Sequence, residues 1–480
     1  MKMWSRMMIS DRLRQIIDSL FDSVPASLEM PAGTGKTHLL TACVAMAAES
    51  GKRSLVLTHT NAGVDAIRKR LKRFGVSSSS VVVETISSWA FMIVRSYPDL
   101  SGIVVPDIPD WNNTNDYQSG AIRANRSDAL KKVHSVSFDF LFVDEYQDCS
   151  KSQHEFILGL KDAIPKSIVF GDRLQGIFGF ADPLVDWEAD VVPCFPSYPI
   201  ELFPFRWHGH NWELGRWTLN VRDQLKPGKE LDWSNIKVPG VIWGGSVSGI
   251  TSYAREFRDF NETVLILDKW ANDVSMHASR LGGSFSVMED IQGRFMREKL
   301  QELENPSNTL SVWLLKLAKK CFVGLADLNS PVIRRLENGQ SLDGLIRAGF
   351  ENVMQCLNDL SLNEDESTLD NAIRSFEQSG VKLYRREAWR DTLEALRASI
   401  RNNSDATSEL ARIRDKVRKI GRRPEKRIAS RTLLVKGLEF DHVIIANIQK
   451  FSDAENLYVA LSRARKSVTI FGDSQITRIV

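Results

Sequence analysis

Two clusters in this sequence have the residue types and spacing for phosphate chemistry. The first is Pro31-Ala32-Gly33-Thr34-Gly35-Lys36-Thr37, at the start of a helical run. A glycine turn ending in Gly-Lys-Thr at a helix start is a phosphate cradle. Gly33 and Gly35 let backbone N–H groups turn inward, and the helix end adds partial positive charge. Lys36 can reach the β- and γ-phosphates, and the Thr37 hydroxyl can ligate Mg²⁺. Met30 stands where the pattern usually begins with glycine. The second cluster is Asp144-Glu145-Tyr146-Gln147-Asp148, directly after the apolar run Phe138–Val143. Two carboxylates at the C-terminal end of an apolar strand suit the edge of an open α/β sheet where ligands bind. Asp144 can hold Mg²⁺ through water, and Glu145 can orient and deprotonate an attacking water.

The elements around these clusters alternate between strand and helix. Apolar residues at helical spacing predict a helix over 7–22, which carries Gln15. Ser54–Thr58, Val81–Thr85, Phe138–Val143 and Ser167–Phe170 read as buried parallel strands with helices between them. Residues 98–127, with Pro98, Pro106, Pro109 and an Asn-rich run, read as a loop-rich insert. Phe178 and Phe180 could present flat faces to bases, at ~1–3 kcal/mol per base. Pro193 to Trp217 reads as a crossing between domains, with Phe205-Arg206-Trp207 as its working part. A second α/β unit follows from Val264–Leu267. Residues 291–426 are expected to be helical without strands. The basic run from Arg412 to Arg431 reads equally as a solvated helix face or as a surface that tracks phosphates.

Composition bounds the rest. A chain of 480 residues with 43% hydrophobic content has room for about three ordinary domains. No apolar run reaches a membrane span, and no sustained apolar stretch follows Lys2 and Arg6, so neither a membrane protein nor a signal peptide is expected. Five scattered cysteines form no C-x-x-C pair, which argues against structural zinc or a disulfide framework and for a cytoplasmic setting. The net charge of +3 says little by itself about partners.

Taken in order, the clusters resemble the motifs of superfamily 1 helicases of the UvrD/Rep type. Ala32–Thr37, Thr60-Asn61, Thr85–Ala90, Asp144–Asp148, Gly171–Phe178, Lys436–Phe440 and Tyr458–Ala464 each look like one family motif, in the family's order. The chain departs from the pattern at Met30, at His59, at Phe178 and Phe180, and before Lys436, where the family's histidine is absent.

The resemblance implies an α/β fold of two RecA-like P-loop domains, each with a parallel sheet, carrying helical insertions. It implies a first domain over 1–205 with an insertion about 91–134, a second over 206–290 and 427–480, and a helical insertion over 291–426. ATP would bind between the domains with Mg²⁺. Gln15 would read adenine, and Phe205 would stack on it. Ala32, Gly33, Thr34, Gly35, Lys36 and Thr37 would cradle the phosphates, with Thr37 and Asp144 on the metal. Glu145 would direct the water, Gln175 would sense the γ-phosphate, and Arg206 and Arg463 would neutralise it. Glu439 would face the ribose or the nucleotide. Thr60, Asn61, Trp89, Phe178 and Phe180 would contact DNA. The implied activity is ATP-dependent movement along single-stranded DNA, or DNA with a single-stranded tail, in the 3′ to 5′ direction. An alternative is a DNA-stimulated regulatory ATPase paired with a nuclease, as in Gabija-type anti-phage systems. RNA is a third possible substrate.

Overall fold

A computed structural model describes residues 9–107, 109–177, 183–305, 309–345 and 347–480. The chain divides into two compact units, one of Met1–Lys226 with Asp453–Ser462, the other of Pro227–Ser452 with Arg463–Val480. Both are built on parallel sheets flanked by helices, the expected RecA-like α/β architecture.

In the first unit, Ala26–Glu29 (β1), Ser54–Thr58 (β2), Val81–Thr85 (β3), Phe140–Val143 (β4) and Ser167–Gly171 (β5) pair in the order β1-β5-β4-β2-β3. Every pairing is parallel. The strands β2, β4 and β5 are buried on both faces, as their unbroken apolar runs require. One core packs helices Asp11–Asp22, Lys36–Glu49 and Asn61–Phe74 on one face. The other packs helices Ile86–Ser96, Thr114–Asn125 and Lys151–Ala163 on the opposite face. Because all strands run the same way, the segments after β1, β4 and β5 emerge at one edge. That edge receives Pro31–Thr37, Asp144-Glu145 and Asp172–Gln175.

Two expectations change here. The insert over 98–127 is helical rather than loop-rich: Pro98–Ser101 and Thr114–Asn125 are helices. Tyr117, Ala121 and Ala124 lie one helical turn apart and are buried, and this apolar stripe outweighs the polar Asn run before it. The boundary expected at 205/206 falls instead after Lys226, and Asp453–Ser462 joins the first unit. The physical reason is local anchoring. The Arg206 N–H donates to the Gly33 carbonyl at 3.0 Å, and Trp207 is fully buried. Phe205–Trp207 is therefore part of the phosphate-loop scaffold rather than a crossing.

In the second unit, Val241–Gly245 (β6), Val264–Leu267 (β7), Ser286–Val287 (β8), Arg427–Ser430 (β9), Phe440–Ile445 (β10) and Ala464–Phe471 (β11) pair in the order β6-β11-β10-β7-β9-β8. All these pairings are parallel as well. Residues 291–426 form helices around their own core, which includes Trp313, Phe376 and Trp389. They also contain a short antiparallel ribbon, Phe322-Val323 with Lys382-Leu383, where no strand was expected.

The basic run is partly internal. Arg414 is 3% exposed and pairs with Glu387 and Asp391, both at 2.6 Å. Arg422 pairs with the same Glu387, and Arg412 with Glu409. Buried charges need partners, and Arg414 uses its own to fasten helix Ala406–Ile420 to helix Arg386–Asn402, whereas exposed Arg412 pairs within its own helix. Arg414 and Arg422 are therefore not part of a solvated cationic face.

Candidate functional site

The loop after β1 closes on itself before the helix begins. The Thr34 hydroxyl and N–H both donate to the Pro31 carbonyl, at 2.7 and 3.2 Å. Gly35 caps helix Lys36–Glu49 with φ +92°, and Gly33 has φ +78°. Both angles lie where side chains are strained. Space excludes them too. A Cβ on Gly33 would meet Arg206 Cβ at 2.7 Å and the Trp207 ring at 2.8 Å, and one on Gly35 would meet the Phe205 ring at 3.1 Å. The cradle is thus made of backbone, with Phe205 lying against it and still 57% exposed.

Lys36 is buried at the start of this helix. Its ammonium forms an ion pair with Glu145 at 2.8 Å but has no hydrogen-bond acceptor aligned with it. Burial acts against its charge. The carboxylates of Glu145 and Asp144 outweigh that and hold its pKa above the usual lysine range. Asp144 is 4% exposed and accepts one hydrogen bond, from the Glu145 N–H at 3.0 Å. Burial, with Glu145 adding to it and Lys36 opposing, pushes its carboxyl up to about 6. Glu145 itself sits at φ +56°, left-handed for a residue with a Cβ. Such conformations cost energy and persist where the surrounding structure over-determines them.

A hydrogen-bonded chain links these groups to the loop after β5. Gln147 Nε2 donates to Glu145 at 2.6 Å, and Gln147 Oε1 accepts from the Asp172 N–H at 2.9 Å. The fully buried Asp172 accepts from Gln175 Nε2 at 2.7 Å and from the Ala32 N–H at 3.0 Å. The Ala32 N–H is shared with the Tyr458 hydroxyl at 3.1 Å. Arg206 donates to the Ser462 carbonyl, also within the first unit.

Of the residues expected from sequence, Ala32 to Thr37, Asp144, Glu145, Gln175, Phe205 and Arg206 therefore gather at one sheet edge. Others lie apart. Gln15 is exposed on helix Asp11–Asp22 and lines a cavity of about 340 Å³ with Ile16, Tyr198 and Ile200, which Phe205 does not line. Trp89 is half-buried, edge-to-face with Phe138 at 5.9 Å, so most of its surface is engaged in packing. Thr60 is exposed but its hydroxyl caps helix Asn61–Phe74 by accepting from the Gly63 N–H at 3.0 Å; Asn61 is half-buried beside it. Phe178 and Phe180 lie outside the described residues. Arg463 and Glu439 belong to the second unit. Glu439 is exposed, whereas Arg463 is completely buried and donates to the Leu438 carbonyl at 3.3 Å. Asp172, Gln147, Tyr458 and Arg222 were not singled out from sequence. The first three lie inside quoted motif stretches, which was their one signal; Arg222 had none.

The chemistry of this donor set fits a nucleoside triphosphate with Mg²⁺. A buried ammonium lacks an aligned acceptor, a backbone cradle excludes any Cβ, and a buried carboxyl is only weakly hydrogen-bonded. Among the described residues no three His, Cys, Asp or Glu side chains cluster as a metal site of their own. No helix among them is long and apolar enough to cross a membrane.

The family described as an AAA domain (AAA_19) matches residues 14–181. No curated protein matches. Among solved structures, Pif1 from Bacteroides sp in complex with ADP-AlF4 aligns at 17% identity with a TM-score of 0.31. That alignment covers 58% of this chain and 57% of the Pif1 chain. A likeness of that size adds nothing to the assignment, and the weight falls on the sequence match. Residues 14–181 match this AAA domain family over a parallel α/β sheet with a glycine phosphate loop.

Proposed function

We propose that the chain hydrolyses ATP and uses the hydrolysis to move on single-stranded DNA. One observation carries the hydrolytic half: Lys36, Asp144 and Glu145 converge beside a backbone phosphate cradle, with Gln175 tied to the same network. Lys36 and the N–H groups of the loop would hold the phosphates. Thr37 and Asp144 would hold Mg²⁺, which supplies charge neutralisation when bound. Glu145, fixed by its neighbours, would align a water on the γ-phosphorus and accept its proton as the bond to the bridging oxygen breaks. Phosphoryl transfer depends on positioning and charge neutralisation more than on covalent chemistry, which suits this set. The DNA half is supported by the resemblance of the motifs and their order, and the 3′ to 5′ polarity by the family resemblance alone.

A second reading is a DNA-stimulated regulatory ATPase that does not unwind duplex robustly and works with a nuclease. The observation favouring it is the state of the expected DNA contacts. Trp89 is largely packed, the Thr60 hydroxyl serves as a helix cap, and part of the basic run is paired internally. Two assays separate the readings: ATP turnover with and without single-stranded DNA, and displacement of a strand from a tailed duplex. The first reading expects stimulation and displacement. The second expects stimulation without displacement. Turnover indifferent to DNA contradicts both.

A further inference from the structure

Arg222 lies in a 3₁₀ turn, Val221–Gln224, just after helix Trp212–Asn220 and outside every motif stretch. Its side chain is 12% exposed and makes three directed contacts. Nη1 donates to Asp172 Oδ1 at 2.6 Å, Nη2 donates to Glu29 Oε1 at 2.7 Å, and the guanidinium lies 4.7 Å from the centre of the Tyr458 ring. Each contact ends on a group that sets the nucleotide site. Asp172 holds the Gln175 amide and the Ala32 N–H on its other oxygen. Glu29 is the last residue of β1, directly ahead of the phosphate loop. Tyr458 shares the Ala32 N–H.

The geometry points to Arg222 as a positioning residue that fixes the phosphate loop at Ala32 and the amide of Gln175 through Asp172. The physical reason is rotational. A buried carboxylate held only on Oδ2 can turn about its Cβ–Cγ bond. A charge-assisted bond on Oδ1 removes that freedom and holds Oδ2 where it accepts two donors at once. A guanidinium does this with one planar group whose two nitrogens point to two different carboxylates. An ammonium, a single point charge, cannot reproduce the fork. Burial acts against the Arg222 charge, but Asp172 and Tyr458 outweigh it and hold the guanidinium above its ordinary range. Burial with Asp172 pushes the Tyr458 hydroxyl up to about 12, so it stays a neutral hydroxyl.

This inference rests on the hydrolytic reading for its consequence, but its structural core can be tested separately. The experiment compares the full chain with Arg222→Gln and Arg222→Lys by two readouts. One is amide hydrogen exchange over the peptide containing Pro31–Lys36. The other is steady-state ATP turnover, with nucleotide affinity measured using a fluorescent ADP analogue. The expected result is loss of Ala32 protection in both variants and a kcat lower by roughly 10²-fold, as small misplacements of catalytic groups produce, with affinity changed much less. Arg222→Lys keeps the buried charge and serves if Arg222→Gln does not fold. A merely structural role would lower the melting temperature while leaving kcat per folded molecule and Ala32 protection intact, and that result overturns the inference. Wild type that turns over no ATP while both variants lose Ala32 protection overturns the hydrolytic reading and upholds the Arg222 link. Wild-type kcat and protection in a folded Arg222→Lys overturn the link alone.

Discussion

Asp144 and Asp268 occupy the same place in two similar sheets and end up electrostatically opposite. Each follows directly on a fully buried parallel strand, β4 or β7, each is almost completely buried, and each accepts the N–H of the next residue. Asp144 receives nothing more by hydrogen bond, and its carboxyl is pushed up to about 6. Asp268 receives His277 at 3.1 Å and Lys450 at 2.9 and 3.1 Å. Burial raises it too, yet these partners outweigh burial and hold it below the usual carboxylate range. The comparison teaches that burial alone does not mark a functional carboxylate. What distinguishes Asp144 is burial that its partners do not offset, although the Lys36–Glu145 ion pair lies beside it. The second unit has many buried charges, including Arg385 with Glu289 and Arg414 with Asp391, and there they satisfy one another. Groups left poorly satisfied are ready for an ion or a phosphate; satisfied ones hold structure.

The largest expected effect is on the uncompensated side. Lys36→Ala is expected to lower ATP turnover by ~10²–10³-fold, the usual cost of removing one preorganised electrostatic stabiliser. A coupled phosphate-release assay checks it. Next comes the compensated side. Lys450→Ala leaves buried Asp268 with His277 and the Lys269 N–H but without its ammonium, and is expected to destabilise the chain by about 3 kcal/mol. Denaturant unfolding measures that, while turnover per folded molecule stays near wild type. If Lys450→Ala instead abolished turnover without loss of stability, the comparison would break.

Gly33→Ala places a Cβ 2.7 Å from Arg206 Cβ at a positive φ, and is expected to cost about 1–3 kcal/mol. Thermal unfolding with and without nucleotide reads it, and the nucleotide-dependent stabilisation should shrink as well.

The smallest effect is in pH. The Asp144 carboxyl is raised on folding, so between the ordinary carboxylate range and about 6 the folded chain binds a proton that the unfolded chain does not. This group therefore favours the folded state in acid, and that contribution is lost as pH rises through about 6. Mg²⁺ needs the anion, so affinity for Mg²⁺-nucleotide is expected to fall by up to about tenfold per pH unit below about 6. Asp268 shifts the other way and contributes stability that persists until the pH falls through its lowered pKa. Titration calorimetry across pH 5 to 8 sharpens the contrast, and an affinity flat across that range would remove it.

The parts of this account that were legible in the sequence are those whose partners lie close in the chain or at fixed positions on a parallel sheet. The glycine loop announces itself within seven residues, and Asp144-Glu145 stands out because carboxylates seldom follow four buried apolar residues. Strands β2 to β5 and β7 were readable for the same reason, whereas β1, β6 and β9 were not singled out. What stayed hidden depends on distant partners. Arg222 reaches Asp172 across 50 residues and Glu29 across 193, and Tyr458 reaches Ala32 across 426. No local pattern encodes such pairs. The basic run read equally as a solvated face or a phosphate-tracking surface because Glu387 and Asp391 lie 27 and 23 residues before Arg414. The helix Thr114–Asn125 was obscured differently: the apolar stripe of Tyr117, Ala121 and Ala124 is short and mild, and the prolines and asparagines ahead of it drew the reading toward a loop.

The central claim is that the cluster of Lys36, Asp144 and Glu145 beside the phosphate loop is a hydrolytic site. Its most direct test is ATP turnover in wild type and Glu145→Gln, with nucleotide affinity measured in both. The account predicts that Glu145→Gln still binds ATP with an affinity near wild type while turnover falls by ~10²–10⁴-fold, the range for removing a general base. Turnover in Glu145→Gln equal to wild type would contradict it.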